Sequence, residues 1–338
     1  MRTVVFGAGG FIGSHLAKRI HKDGFAVTGV DQKKPEFSKT ACDVFFLGDL
    51  RDVSFVRKVF ERELTQLKSG EDLRIFQLAA DMGGAGFVFT GENDAEIMHN
   101  SSLINLNILK VASELVDSKL INSSQIRIFY ASSACVYPEE LQINSELVDL
   151  REELAYPANP DSDYGWEKLF SERLFAAFAR NKGIQVRIAR YHNVYGPEGA
   201  WRGGREKAPA AICRKVAEIV GESGEIEVWG SGEQTRSFLY IDDCVEATLR
   251  LMESAHDSPI NIGSEEMVTI NYLVRAAADL AGKVVTIRHR LDGPIGVQGR
   301  NSNNDMIREA LSWDYTVELS QGLSHTYEWI RDQLSFSD

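Results

Sequence analysis

The stretch Thr3-Val4-Val5-Phe6-Gly7-Ala8-Gly9-Gly10-Phe11-Ile12-Gly13-Ser14 decides the fold. A short apolar, β-branched run meets Gly7, Gly10 and Gly13 in G-x-x-G-x-x-G register, and a helical pattern (Phe11–Lys22) opens among them. Glycine permits the tight turn and lets the backbone approach a pyrophosphate, while the helix start offers unpaired N–H groups and a positive dipole end. Asp31 ends the next strand, 18 positions after Gly13, where a carboxylate suits a ribose 2′-hydroxyl. The same charge repels a 2′-phosphate, so NAD is expected over NADP, with Lys33 and Lys34 pulling the other way. Asp49, in Gly48-Asp49-Leu50, ends the third strand. Two roles are open to it: reaching the adenine edge, or capping the helix that starts near Asp52.

Working outward, apolar strand-like runs at Thr3–Phe6, Ala26–Val30, Val44–Leu47, Arg74–Leu78, Ile126–Ala131 and Val186–Ala189 alternate with helical patterns at Phe11–Lys22, Val53–Leu67, Leu103–Ser118 and Asp163–Asn181. This alternation predicts an α/β fold, a doubly wound parallel-sheet Rossmann domain covered on both faces. After about Arg190 the texture changes. Gly196-Pro197-Glu198-Gly199 and Trp201-Arg202-Gly203-Gly204 introduce shorter elements, read as a smaller mixed α/β substrate lobe. The expected division is 1–190 for the NAD-binding domain, with 237–255 returning to it, and 191–236 plus 256–338 for the lobe. The apolar faces of 103–118 and 163–181 pack either on the sheet or in a dimer helix bundle.

The 338 residues carry 37 Lys+Arg and 49 Asp+Glu, a net charge of −12, which argues against nucleic-acid and membrane partners. The absence of a run of about 18 apolar residues excludes a membrane-spanning helix of ordinary kind. A strand that begins at Thr3 leaves no room for a signal peptide, so a reduced cytoplasmic protein is expected. Cys42, Cys135, Cys213 and Cys244 show no close spacing and are expected to remain free thiols. The seven histidines have no metal-ligand spacing, so no metal is expected, and His192 reads as a packed or hydrogen-bonding residue. No Gly-x-Ser-x-Gly or P-loop sequence supports a hydrolase or NTPase.

Tyr164-Gly165-Trp166-Glu167-Lys168 places a phenol and an ammonium four residues apart, on one helical face. The cation is expected to lower the phenol pKa from about 10, making a base for a substrate hydroxyl as hydride leaves the same carbon. Ser133, at the end of the fifth strand, would hydrogen-bond that hydroxyl. Ser133, Tyr164 and Lys168, together with the glycine turn, resemble the extended short-chain dehydrogenase/reductase family over nearly the whole chain.

The flanking segments are more specific. Ala80-Asp81-Met82-Gly83-Gly84, Ser132-Ser133-Ala134-Cys135-Val136-Tyr137-Pro138, Arg190-Tyr191-His192-Asn193-Val194-Tyr195-Gly196-Pro197, Gly203-Gly204-Arg205-Glu206-Lys207-Ala208-Pro209-Ala210-Ala211, Gln234-Thr235-Arg236-Ser237-Phe238 and Gly299-Arg300-Asn301-Ser302 are similar to the GDP-mannose 3,5-epimerase branch of that family. The resemblance implies a GDP-hexose partner, a transient C4″ ketone, proton exchange at C3″ and C5″, and NAD recycled in place. It makes Cys135 the base and Lys207 the acid beside Ser133, Tyr164 and Lys168. The cofactor set it implies is Gly7, Gly10, Phe11, Ile12, Gly13, Asp31, Asp49, Ala79, Tyr164 and Lys168. Around the substrate it places Gly83, Ser133, Ala134, Cys135, Asn193, Glu206, Lys207, Ala208, Lys215, Gln234, Thr235, Arg236 and Arg300. Arg236 and Arg300 suit bidentate pyrophosphate contact, and Lys215 a point-charge contact. Family habit implies a homodimer. A 4-epimerase, a 4,6-dehydratase, an enzyme acting on a GDP-heptose and a non-catalytic NAD sensor are the alternatives. A dehydratase uses an acidic pair just after the serine, where Ala134 and Cys135 stand. Residues 200–216 hold Arg202, Arg205, Lys207, Arg214 and Lys215 against the single acid Glu206, which predicts a basic pocket on an acidic protein.

Overall fold

The computed structural model describes residues 1–146, 148–293 and 295–335. The first half runs β1 (Arg2–Phe6), α1 (Phe11–Lys22), β2 (Val27–Asp31), β3 (Val44–Leu47), α2 (Val53–Gln66), β4 (Leu73–Gln77), the short α3 (Ala85–Val88), α4 (Asp94–Asp117), β5 (Ile126–Ser133), α5 (Asp163–Lys182) and β6 (Gln185–Tyr191). The second half runs β7 (Val194–Tyr195), α6 (Ala208–Ala217), β8 (Ser223–Trp229), β9 (Thr235–Ser237), β10 (Leu239–Tyr240), α7 (Ile241–Glu253), β11 (Pro259–Ile262), β12 (Met267–Thr269), α8 (Ile270–Leu280), β13 (Val284–Arg290), β14 (Gly299–Arg300), α9 (Asp305–Leu311) and α10 (Leu319–Ser335).

The main sheet has seven parallel strands in the order β11-β6-β5-β4-β1-β2-β3. Strand alternation builds its two cores. Val5 faces one way with Leu16 and Ile20 of α1 and Val245 and Leu251 of α7. Val4 and Phe6 face the other way with Val56 and Phe60 of α2, Ile108 of α4 and Phe175 of α5. The order reverses between β1 and β4, the point at which such sheets open a ligand crevice beyond their carboxyl ends.

Three boundaries differ from the sequence expectation. Helix α4 starts at Asp94, not Leu103, because its first turns carry Glu96, His99, Asn100 and Ser101 and show no apolar stripe. Strand β5 outruns its apolar stretch, 126–131, and ends at Ser133, where the serine was expected to stand. The third concerns 256–338: β11 falls inside it but joins the main sheet beside β6, with α7 as the crossover helix. Four residues, Pro-Ile-Asn-Ile, are too short to announce a sheet strand by periodicity. The rest of the lobe is built from small sheets, β12-β9-β14 and the parallel pair β13-β8, with α6, α8 and α10 packed together.

Candidate active site

The glycine turn forms a cradle that side chains would fill. Gly7 has φ +85°, and a Cβ placed on it would lie 2.8 Å from the Ala79 nitrogen, at the point where the sheet order reverses. A Cβ on Gly13 would overlap the Gly7 carbonyl oxygen, and one on Gly9 the Lys33 carbonyl oxygen. Gly10 caps α1 without a side chain, so Phe11, Ile12 and Gly13 begin the helix with no side chain on its first amides. Asp31 accepts from Gly9 N (2.9 Å) through one oxygen and from Lys33 N (3.2 Å) through the other. These features fit a dinucleotide. Asp49 is gripped by Arg51, whose Nη2 lies 2.7 Å away, and this hydrogen bonding lowers its pKa. The helix-cap role weighed for Asp49 belongs to Asp52, which accepts from Ser54 N at 2.8 Å.

Ser162 caps α5 by accepting from Gly165 N (3.2 Å), and the next turn carries Tyr164 and Lys168 into the interior. Tyr164 hydrogen-bonds Ser133, and burial, then the neighbouring Cys135, pushes the phenol above its ordinary range. The expected lowering by Lys168 does not appear, for a geometric reason. Its ammonium lies over the rings, 5.6 Å from the Tyr164 centroid and 5.1 Å from that of Tyr130, and donates to Ala131 O at 3.1 Å. Burial lowers the pKa of Lys168, and Glu167 at 3.8 Å raises it. Glu167 in turn accepts from Asn105 (3.2 Å) and Ser171 (2.7 Å).

Cys135 sits in a one-turn helix directly after β5, its N–H donating to Ser133 Oγ at 3.2 Å. Its sulfur accepts from Arg300 Nη1 at 3.1 Å. Burial and the Asp161 carboxylate raise the thiol pKa, while Arg300, Ser133 and Lys207 lower it. Burial lowers the Lys207 pKa and Cys135 raises it. The structure thus brings Ser133, Cys135, Tyr164, Lys168 and Lys207 to one place. Val88 and Ile97, with Phe87 and Phe89 at the edge, pack against Cys135 and Tyr164, so the glycine-rich segment delivers an apolar wall as well as backbone.

That segment is locked to the one bearing Lys207. Gly84 N donates to Arg205 O (3.1 Å), Arg205 Nη1 donates to Met82 O (3.1 Å), and the guanidinium lies 4.0 Å from the centre of the Phe87 ring. Lys207 then serves as the cap residue of α6, with Ala208 and Pro209 opening the helix. Gly83 packs on Phe87, and Ala134 is buried beside Cys135.

The remaining substrate-set residues hold other partners here. Asn193 takes a positive φ of 42° and donates to Ser237 O at 3.0 Å. Glu206 accepts from Gly204 N at 2.7 Å. Gln234 donates to Trp229 O (2.8 Å) and leaves Oε1 buried without a partner, and Thr235 donates to Ser145 O at 2.7 Å. Arg236 spends its donors on the Thr235, Ile295 and Val297 carbonyls, and burial and Arg300 depress it to about 9. Lys215 lies on α6 with Nζ 2.7 Å from Glu227 O, outside the Cys135 cluster. His192 is wholly buried on Asn261 (3.0 Å), and burial depresses it to about 3. Sequence reading missed Asp161, Gln142 and the packing role of Gly165, whose added Cβ would overlap the Cys135 carbonyl oxygen.

This arrangement has the parts of a nucleotide-dependent redox epimerase. The model of the NAD dependent epimerase/dehydratase family matches residues 3–263, and the chain belongs to that family. It is 44% identical over 336 residues to GDP-mannose 3,5-epimerase of Arabidopsis thaliana, covering 99% of this chain and 83% of that protein. A match of the same identity to GDP-mannose 3,5-epimerase 1 of Oryza sativa subsp. japonica covers 99% and 82%. Among solved structures, UDP-glucose 4-epimerase of Thermotoga maritima with UDP-glucose superposes with a TM-score of 0.84 at 24% identity, covering 99% of this chain and 100% of that one. UDP-glucuronic acid 4-epimerase of Bacillus cereus, in complex with UDP-glucuronic acid and NAD, gives 0.79 at 24% identity, covering 98% and 100%.

Proposed function

We propose that this protein is an isomerase that inverts GDP-mannose at C3″ and C5″ through a transient C4″ ketone, giving GDP-L-galactose, GDP-L-gulose or both. The observation that carries the reading is the meeting of Cys135 and Lys207 with an intact Ser133/Tyr164/Lys168 set. Gly7, Gly10 and Gly13 of the cradle, with Asp31 beside them, would hold NAD, which would supply a reversible two-electron acceptor for C4″. Ser133 orients the 4″-hydroxyl and Tyr164 accepts its proton. Lys168 lies over the Tyr164 ring and donates to Ala131 O, so in this geometry it stands beside the phenol without lowering its pKa.

With a carbonyl at C4″, the hydrogens at C3″ and C5″ become acidic. The Cys135 thiolate takes one as a proton, so an S–H bond forms and the C–H electron pair moves onto the carbonyl oxygen as an enolate. Lys207 gives a proton to the opposite face of the same carbon, inverting it. Thiol pKa raised by burial and ammonium pKa lowered by burial bring the two groups toward each other in basicity, which suits proton traffic in both directions. Arg236 and Arg300 form the cationic side of the substrate site.

The deciding experiment incubates the protein with GDP-mannose in deuterated water and reads the sugar by NMR. Deuterium at C3″ and C5″ is expected. Inversion at C4″ without label at either carbon overturns the reading in favour of a 4-epimerase. A homodimer is part of the proposal, supported by Leu106 on α4 and Trp166 and Phe170 on α5, apolar side chains 41%, 42% and 48% exposed. Sedimentation equilibrium tests it. A cytoplasmic setting fits four free thiols, and among the described residues no helix is long and apolar enough to cross a membrane.

A further inference from the structure

The cluster around the Cys135 sulfur contains a group that neither the motifs nor the chemistry above employs. Asp161 lies three residues before Tyr164, and its side chain is 2% exposed. One of its oxygens pairs with Arg300 Nη2, and the other accepts from Ser162 Oγ at 2.8 Å, the hydroxyl that caps α5. Arg300 is held on two further sides: Nε donates to Gln142 Oε1 at 2.7 Å, and Nη1 to the Cys135 sulfur at 3.1 Å. Each of the three guanidinium nitrogens therefore has a protein partner, which fixes its plane and leaves one N–H on each Nη for a substrate.

A fully charged arginine against a sulfur would by itself hold a stable thiolate, and a stable thiolate is a weak base. A carboxylate on the same guanidinium offsets that charge. We propose that Asp161 is a positioning residue acting through Arg300: it fixes the guanidinium on the Cys135 sulfur and offsets its charge, so that the thiolate, when it forms, remains basic enough to take a carbon-bound proton. The same carboxylate, through Ser162, ties the position of Arg300 to the start of the helix that carries Tyr164. This proposal deepens the epimerase reading and rests on it for the identity of the proton donor.

The charged and titratable groups facing the sulfur are Arg300 from β14, Asp161 from the loop before α5, Tyr164 in its first turn, Lys168 one turn on, Lys207 at the cap of α6 and Arg236 from β9. The test replaces Asp161 by Asn, which is isosteric and removes the charge while keeping an oxygen to accept from Arg300 and an N–H to donate to Ser162 Oγ. In the full-length protein, alkylation of Cys135 by iodoacetamide is followed against pH by mass spectrometry of its peptide. The D161N profile should move to lower pH, with alkylation near neutrality at least about tenfold faster. Deuterium incorporation into GDP-mannose should fall by a comparable factor while NAD binding is kept. An unmoved profile, or one moved to higher pH, overturns the proposal. Should D161N fail to bind NAD, Arg300→Gln decides the matter in the same assay: its profile must move to higher pH, and one that stays in place refutes control of the thiol by the arginine. Alkylation needs no sugar, so Asp161 is judged even if GDP-mannose proves not to be the substrate.

Discussion

At the scale of the residue, Gly165 shows how one missing methyl group sets the chemistry. It stands between Tyr164 and Trp166 in α5, where helix propensity alone favours alanine by about 1 kcal/mol. Contact decides otherwise, because a Cβ there would overlap the Cys135 carbonyl oxygen and lie 2.9 Å from Pro160 Cβ. The first obstacle belongs to the turn that aims the sulfur, and the second to the loop that leads into α5. Gly165→Ala should therefore lower the rate of deuterium incorporation by about 100-fold or more, the cost of moving a reacting group by an ångström. A variant as fast as the parent would show that the turn yields without consequence. His192 offers a second residue-scale test. Its folded pKa of about 3, depressed by burial, lies below the unfolded value of about 6.5. Below that unfolded value only the unfolded chain binds the proton, so stability is lost as pH falls from about 6.5 towards 3, at ~1.4 kcal/mol per unit. Urea titrations at several pH values should show a shallower decline for His192→Asn than for the parent. Parallel curves would mean that His192 is protonated in the fold.

At the scale of the element, the informative unit is the pair of segments 81–88 and 203–207. Neither has much structure of its own, and each holds the other by one backbone bond, Gly84 N to Arg205 O, and by the Arg205 side chain on Met82 O and Phe87. A Cβ on Gly84 would overlap the Glu206 carbonyl oxygen, next to Lys207. Gly84→Ala should displace Lys207, cutting solvent exchange into the sugar by about 10- to 100-fold while leaving NAD affinity unchanged, since the glycine turn lies elsewhere. Equal losses in both would show a general defect in folding. What was readable in advance at this scale follows the range of the forces. The β1-turn-α1 unit is specified by neighbours within a dozen residues, and α1 spans Phe11–Lys22 as its pattern predicts. Tyr164 and Lys168 share a helical face because 3.6 residues make a turn. The Arg300–Cys135 contact joins residues 165 apart, and the Arg300–Asp161 pair residues 139 apart, so no local pattern contains them. Arg300 was recognisable as a site residue only by resemblance, and nothing near it in sequence announces its contacts with Cys135 and Asp161.

At the scale of the whole molecule, the basic pocket is assembled differently from the charge run at 200–216. Arg202 lies over the Trp201 ring, 4.6 Å from its centroid, Arg214 donates to Trp201 O at 3.0 Å, and Lys215 is spent on Glu227 O. Of that run, Lys207 acts on Cys135, joined by Arg236 and Arg300 from strands far along the chain. A site gathered from both halves requires the halves to be held as one body, and the core provides this. One apolar cluster runs from Val5, Leu16 and Phe129 in and beside the main sheet through Trp201 and Cys213 to Ile226, Leu273 and Leu323 in the lobe. No boundary of exposed side chains separates the two, so partial unfolding would strip apolar surface from both. Unfolding in urea should therefore be a single transition in which tryptophan emission and far-ultraviolet dichroism coincide. The emission probe is well placed, because Trp201, Trp229, Trp313 and Trp329 all lie beyond residue 190 and only Trp166 lies before it. A fluorescence midpoint clearly below the dichroism midpoint would mean that the lobe melts by itself, and the shared cluster would then be too weak to couple the Arg300 side of the site to the Tyr164 side.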